Sequence, residues 1–154
     1  VALSKSTVMI KVQAEDFDIG AEASSLTAGR TDIGAVVTFT GIVRGGEGLV
    51  TMTLEHYPGM TEAELGRVDA EAHARWPLAA SLIIHRFGEL RPGDNIMMVA
   101  TASAHRKAAF EAAEFLMDYL KTSAPFWKKQ RFDESAPSWV EAKFTDDDAA
   151  SRWR

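Results

Sequence analysis

Residues 103–131, SAHRKAAFEAAEFLMDYLKTSAPFWKKQR, set the reading of this chain. Ala109, Ala112, Ala113, Leu116, Met117 and Leu120 recur at helical spacing and form one apolar stripe. Glu111, Glu114, Asp118 and Lys121 fall on or near the other side. Ser103 is expected to cap the helix, its hydroxyl oxygen accepting from a first-turn N–H. Pro125 has no N–H to donate and biases Ala124 away from helical geometry, so the helix is expected to end by about Thr122. A short aromatic-basic segment follows.

Both ends of this helix are cationic. His105 and Arg106 occupy the first turn, where free backbone N–H groups already favour an anion. Lys121 sits in the last turn, and Lys128, Lys129 and Arg131 follow the proline. Cations in a last turn also complement the helix dipole in proteins with no ligand there. His105 and Lys121 are separated by roughly 24 Å along the axis at about 1.5 Å per residue. No metabolite-sized ligand spans that gap within one chain. Either the two ends serve different purposes, or a second copy brings one end against the other.

Working back to the N-terminus, the segments surrounding this helix mix strand and helix signals. Thr7–Gln13 alternates with Val8, Ile10 and Val12 on one side and predicts a first strand. Asp18 is placed to cap a short helix running to about Leu26. Residues 34–44, GAVVTFTGIVR, are rich in β-branched side chains and predict a strand with Ala35, Val37, Phe39 and Val43 on one face. Gly45, Gly46, Glu47 and Gly48 then form a loop, and a strand over 50–57 is expected to return as the second arm of a hairpin. After Pro58-Gly59, Thr61 and Glu64 match a capping box for a helix that buries Leu65, Val68 and Ala72 and stops at Pro77. Strands over 81–87 and 95–102 are expected on either side of an Arg91-Pro92-Gly93-Asp94 turn. A last strand over 138–144 and a short helix opened by Asp146, Asp147 and Asp148 complete the expectation. About six strands and four helices in irregular order favour α+β, mainly antiparallel, over a doubly wound sheet.

Composition narrows the function classes. At 154 residues, the chain is expected to be a single domain over 1–154. Lys+Arg of 17 against Asp+Glu of 22 gives a net charge of −5, against the basic face of a general nucleic-acid binder. The cationic cluster over 121–131 stands out from that acidic average. Without cysteine the chain has no disulfide, thiolate metal site or thiol nucleophile, which is compatible with a reducing cytoplasm. No signal peptide or apolar run near 18 residues is visible, so neither export nor a membrane span is expected, and the expected location is cytoplasmic. His56, His73 and His85 share no metal-like spacing, so no metal is expected. The 45–48 loop lacks the P-loop lysine and the dinucleotide-binding spacing.

Four stretches together resemble the large subunit of molybdopterin synthase: GAVVTFTGIVR (34–44), LEHYPGMTE (54–62), SAHR (103–106) and MDYLKTSAPFWKK (117–129). The resemblance runs from about residue 8 to the C-terminus. It implies an α/β-hammerhead-type fold and a homodimer at the centre of a heterotetramer. The implied partner is a small ubiquitin-like sulfur carrier whose C-terminal Gly-Gly ends in a thiocarboxylate. The implied activity is sulfur transfer to cyclic pyranopterin monophosphate (precursor Z), forming the dithiolene of molybdopterin, with no further cofactor. By similarity Lys121 and Lys128 are the catalytic lysines. Ile42, Val43 and Arg44 line the substrate pocket, His105 and Arg106 reach substrate from the neighbouring protomer, and Lys128, Lys129 and Gln130 complete the site. The residue chemistry suits this. A cyclic phosphate and a thiocarboxylate are two anions whose mutual repulsion a cationic pocket offsets. Crowded ammonium groups lower one another's pKa, which equips a lysine for acid–base work or attack on the carrier's terminal carbonyl. The alternative is a non-catalytic dimeric docking subunit that binds a ubiquitin-like tail or a phosphorylated ligand.

Overall fold

The structure, a computed structural model, describes residues 6–132, 138–140 and 149–153. Its elements in chain order are β1 (Thr7–Gln13), α1 (Ile19–Thr27), β2 (Ala35–Ile42), β3 (Leu49–His56), α2 (Met60–Arg75), β4 (Leu78–Arg86), β5 (Gly88–Leu90), β6 (Asn95–Ser103), α3 (Arg106–Thr122), β7 (Phe126–Phe132) and β8 (Ser138–Trp139). Two four-stranded sheets form, in the orders β1-β4-β6-β2 and β5-β3-β7-β8. Among the described residues only β1 and β4 pair in parallel. The expected mainly antiparallel α+β architecture is the observed one.

The first sheet lies between helices. Leu82 and Ile84 of β4, with Met98, Ala100 and Ala102 of β6, pack under α1 with Phe17 and Leu26. The alternate residues Ile83, Met97 and Val99 face the other way, onto Leu65, Val68 and Ala72 of α2 and Ala112, Phe115 and Leu116 of α3. The two central strands are thus buried on both faces, which explains their near-continuous apolar sequence. A smaller core of Val43, Met52, Leu54 and Leu90 lies under the second sheet.

Local signals were correct where one residue settles the geometry. Asp18 caps α1, its Oδ1 accepting from the Ala21 N–H at 2.9 Å. The Arg91–Asp94 turn closes through Asp94 N–H to the Arg91 carbonyl at 2.9 Å and Arg91 N–H to Asp94 Oδ2 at 2.8 Å. Gly34 is required where it stands, since a Cβ there would lie 2.2 Å from the Ala104 carbonyl oxygen.

Four expectations are corrected. The strands on either side of the 45–48 loop are not a hairpin: β2 pairs with β6, whereas β3 pairs with β5 and β7 in the other sheet. Val43 donates to the Asp94 carbonyl at 2.9 Å and accepts from Gly93 at 2.8 Å, which draws the end of β2 toward the 91–94 turn. Gly46, Glu47 and Gly48, all at positive φ, then carry the chain into the second sheet. Ser103 does not cap α3; it ends β6 and its hydroxyl donates to the Pro77 carbonyl at 2.8 Å, leaving His105 at the cap. The α2 cap is Gly59, which has no side chain, and only the return bond of a box forms: the Glu62 carboxylate accepts the Gly59 N–H at 2.5 Å. Glu64 instead receives Arg67 and the Tyr119 hydroxyl. Finally, the aromatic-basic segment after Pro125 is a strand, β7, at the heart of the second sheet. Of the expected last strand only its start is described, as β8. Asp146, Asp147 and Asp148 lie outside the described residues.

Candidate active site

Helix α3 begins where β6 ends and runs back over the sheet, so its last turn returns to the end of the sheet where β6 starts. Ile42 lies beside Asn95, and His85 beside Met97, at that same end. The chain then needs only Ser123, Ala124 and Pro125 to enter β7. Lys121 and Lys128 therefore stand on the two sides of a short connection, one on a helix of the first layer and one on a strand of the second sheet.

Alternation along β7 sorts the basic residues. Phe126, Lys128 and Gln130 share one face; Trp127, Lys129 and Arg131 share the other. Lys128 lies across from Leu54 and Gln130 across from Met52, both in the small core that also holds Val43. Val43 is 1% exposed and belongs to that core. Ile42 and Arg44 on either side of it are exposed. Lys129 points the other way, pairing with Glu55 at 3.1 Å and lying 5.0 Å over the Trp139 ring.

A ring column floors this junction. His85 of β4 stacks on Phe126 with centroids 3.7 Å apart and planes 16° from parallel. His56 of β3 lies 6.4 Å from Phe126 and 4.3 Å from Phe87. His85 Nδ1 is 2.8 Å from the Arg86 carbonyl oxygen, which can only accept, so Nδ1 carries the proton and Nε2 the lone pair. Burial pushes the His85 pKa down to about 4; the charges of Lys128, Lys121 and His56 push the same way and the Arg86 carbonyl opposes them. His85 is thus neutral at physiological pH, and both lysines lie near enough to hold it so. The sequence pointed to His85 as a packed strand residue, and SLIIHRF places it at strand spacing from Ser81 and Ile83, which face the helices. Its stacking partner was hidden because β7 did not read as a strand.

Charge pairing sorts the basic residues a second way. Lys11, Arg30, Arg67, Arg75, Arg86, Arg91, Lys107, Lys129 and Arg152 each have a carboxylate within salt-bridge reach. Among the described residues Arg44, Arg106, Lys121 and Arg131 have none. Three of those four belong to the set expected from the sequence; Arg131 does not, and it faces away from Lys128. His105 and Arg106 stay at the far end of α3, about 25 Å from its last turn for 17 residues at 1.5 Å each. Within one chain the structure brings Lys121, Lys128, Gln130 and Val43 to one junction, places Ile42 and Arg44 at that end of the first sheet, and leaves His105 and Arg106 apart. No group of three or more His, Asp or Glu among the described residues could hold a metal ion.

Fold and site define a hammerhead-type α+β protein that sets Lys121 and Lys128 beside a buried histidine at the seam between two sheets. Residues 12–123 match the family model described as MoaE protein. A molybdopterin synthase catalytic subunit from Mesorhizobium japonicum is 59% identical over 94% of this chain and 92% of its own length. One from Salmonella typhimurium is 53% identical over 89% and 92%. Among solved structures, molybdopterin cofactor biosynthesis protein E from Burkholderia multivorans is 49% identical with a TM-score of 0.82, covering 96% of this chain and 97% of that one. Molybdopterin synthase from Staphylococcus aureus is 29% identical with a TM-score of 0.76 over 84% and 95%. The chain belongs to the MoaE family, the catalytic subunits of molybdopterin synthase.

Proposed function

We infer that this chain carries out the sulfur transfer of a molybdopterin synthase. Sulfur moves from the C-terminal thiocarboxylate of a small carrier subunit to cyclic pyranopterin monophosphate, building the dithiolene of molybdopterin. The observation that carries the residue assignment is the pairing of Lys121 and Lys128 across a three-residue connection, over a histidine that cannot become a third cation at neutral pH.

The chemistry follows from charge and from what the chain lacks. Its sequence contains no cysteine, so the nucleophilic sulfur arrives on the carrier. The substrate phosphate and the thiocarboxylate repel each other, and Lys121, Lys128 and Arg44 offset that repulsion as the two approach. One lysine then serves as acid or base or, once the thiocarboxylate sulfur has bonded to the substrate, attacks the carrier's terminal carbonyl. That attack breaks the carrier's C–S bond, leaving the sulfur on the substrate and the carrier on the lysine as an amide that water then hydrolyses. Ile42 and Gln130 line the same end, and Val43 holds Arg44 in place from the core. Lys129 borders the site from the outer face of β7.

His105 and Arg106 join from a second protomer, within a homodimer flanked by two carriers. Two features support this. The helix places these residues roughly 23 Å from Lys121, and β2 is an edge strand with Val36, Phe39 and Ile42 exposed. No helix among the described residues is long and apolar enough to cross a membrane. We place the reaction in the cytoplasm, where a thiocarboxylate carrier stays reduced. The test is direct: the purified chain, a thiocarboxylated small subunit and precursor Z are combined and molybdopterin is measured. Product that depends on both Lys121 and Lys128 supports the assignment; turnover surviving replacement of both by alanine rejects it.

A further inference from the structure

Lys121 and Lys128 sit on different layers, so their spacing depends on the connection between them. That connection is fixed at two neighbouring points, by Thr61 and His85. The Thr61 hydroxyl, fully buried, donates to the Pro125 carbonyl at 3.2 Å and accepts the Tyr57 N–H at 3.0 Å. It thereby ties the end of β3 and the start of α2 to the last residue before β7. One residue on, Phe126 is held face to face by His85 at 3.7 Å. His85 belongs to the first sheet and Phe126 to the second, so the stack fixes one sheet against the other beside the lysines.

We propose that Thr61 and His85 are positioning residues for sulfur transfer: the hydroxyl holds Pro125, the imidazole holds Phe126, and together they set the distance between Lys121 and Lys128. This rests on the assignment of those lysines to catalysis. A displacement of the order of 1 Å at reacting groups costs about a hundredfold in rate, so a defect here lowers turnover more than binding. A threonine also suits the position better than valine of the same shape, because losing the hydroxyl removes the donor to the Pro125 carbonyl and the acceptor of the Tyr57 N–H.

The test uses the complete enzyme with its thiocarboxylated carrier. Thr61→Val is expected to lower kcat roughly ten- to a hundredfold, with KM for precursor Z and carrier affinity held within about twofold. Thr61→Ser, which keeps the hydroxyl, restores kcat. His85→Ala loses kcat in the same way, and His85→Phe, which keeps a ring on Phe126, recovers most of it. Leu26→Ala, a core truncation on the far face of the first sheet, is the control for lost stability and retains kcat. Wild-type kcat in both Thr61→Val and His85→Ala overturns the proposal, as does an equal loss in Leu26→Ala or a failure of Thr61→Ser to rescue. Wild type and the two lysine variants, run alongside, separate the two readings. Inactive wild type overturns the assigned function and this proposal with it, whereas active wild type, dead lysine variants and an intact Thr61→Val overturn this proposal alone.

Discussion

His85 and Phe126 lie ring on ring, 3.7 Å between centroids, joining a central strand of the first sheet to the strand that carries Lys128. His85 is buried and Phe126 half-buried. The histidine therefore responds to pH in a way that can be read from stability.

Burial holds the folded His85 near 4, against 6.5 for an unhindered imidazole. Below about pH 6.5 the unfolded chain takes up a proton that the folded chain refuses until about pH 4. The contribution is therefore fully present above pH 6.5 and is lost as pH falls through that window, by roughly 3 kcal/mol at most. Asp69, whose carboxyl burial pushes up, titrates alike in wild type and variant and cancels in their difference. Urea unfolding near pH 7.5 and near pH 4.5 should show the stability gap between His85→Phe and wild type moving in the variant's favour on acidification. An unchanged gap would mean that His85 titrates normally in the fold.

The faces of β7 rank its two adjacent lysines. Lys128 shares a face with Phe126 and Gln130, whereas Lys129 is engaged by Glu55 and Trp139 on the other. Lys128→Ala is expected to reduce dithiolene formation more than about a hundredfold, and Lys129→Ala by severalfold at most. Single-turnover assays with saturating carrier measure both. Equal losses would place the reacting groups elsewhere on the strand.

Gly34 offers a stability test remote from the lysines. A Cβ at this position meets the Ala104 carbonyl, so Gly34→Ala must push apart the start of β2 and the turn leading into α3. The expected cost is roughly 1–3 kcal/mol, the range for forced overpacking. A chemical denaturation midpoint within error of wild type would show that this approach relaxes freely.

How far the sequence could be read depended on whether the signal was local. Asp18, the 91–94 turn and the α3 stripe each report on neighbours within a few residues, and each predicted its element. The 45–48 loop also reported a local fact, a reversal between two strands, but which sheet each strand joins is decided by β6 and β7 far along the chain. Lys128, Lys129 and Arg131 masked a strand because charge outweighed the alternation of Phe126, Lys128, Gln130 and Phe132. Thr61 matched a cap and proved to be a brace, since its partner, the Pro125 carbonyl, is invisible to any pattern near residue 61. The candidate lysines themselves were legible through resemblance; the ring column that spaces them was not.

The 17-residue helix α3 sets the last test, because its two ends cannot serve one ligand within a chain. On the proposed shared site, each half of a two-fold dimer takes Lys121 and Lys128 from one protomer and His105 and Arg106 from the other. A Lys121→Ala chain and an Arg106→Ala chain, each nearly inactive alone, form mixed dimers in which one site gathers both defects and the other gathers none. Random re-assortment makes about half of all dimers mixed, so about a quarter of wild-type activity should return on unfolding and refolding the two together. Activity that stays at the level of the separate variants would place all four residues in one protomer's site, which the length of α3 forbids, or else exclude Arg106 from substrate contact. The re-mixed sample therefore tests the shared site independently of which lysine does the chemistry.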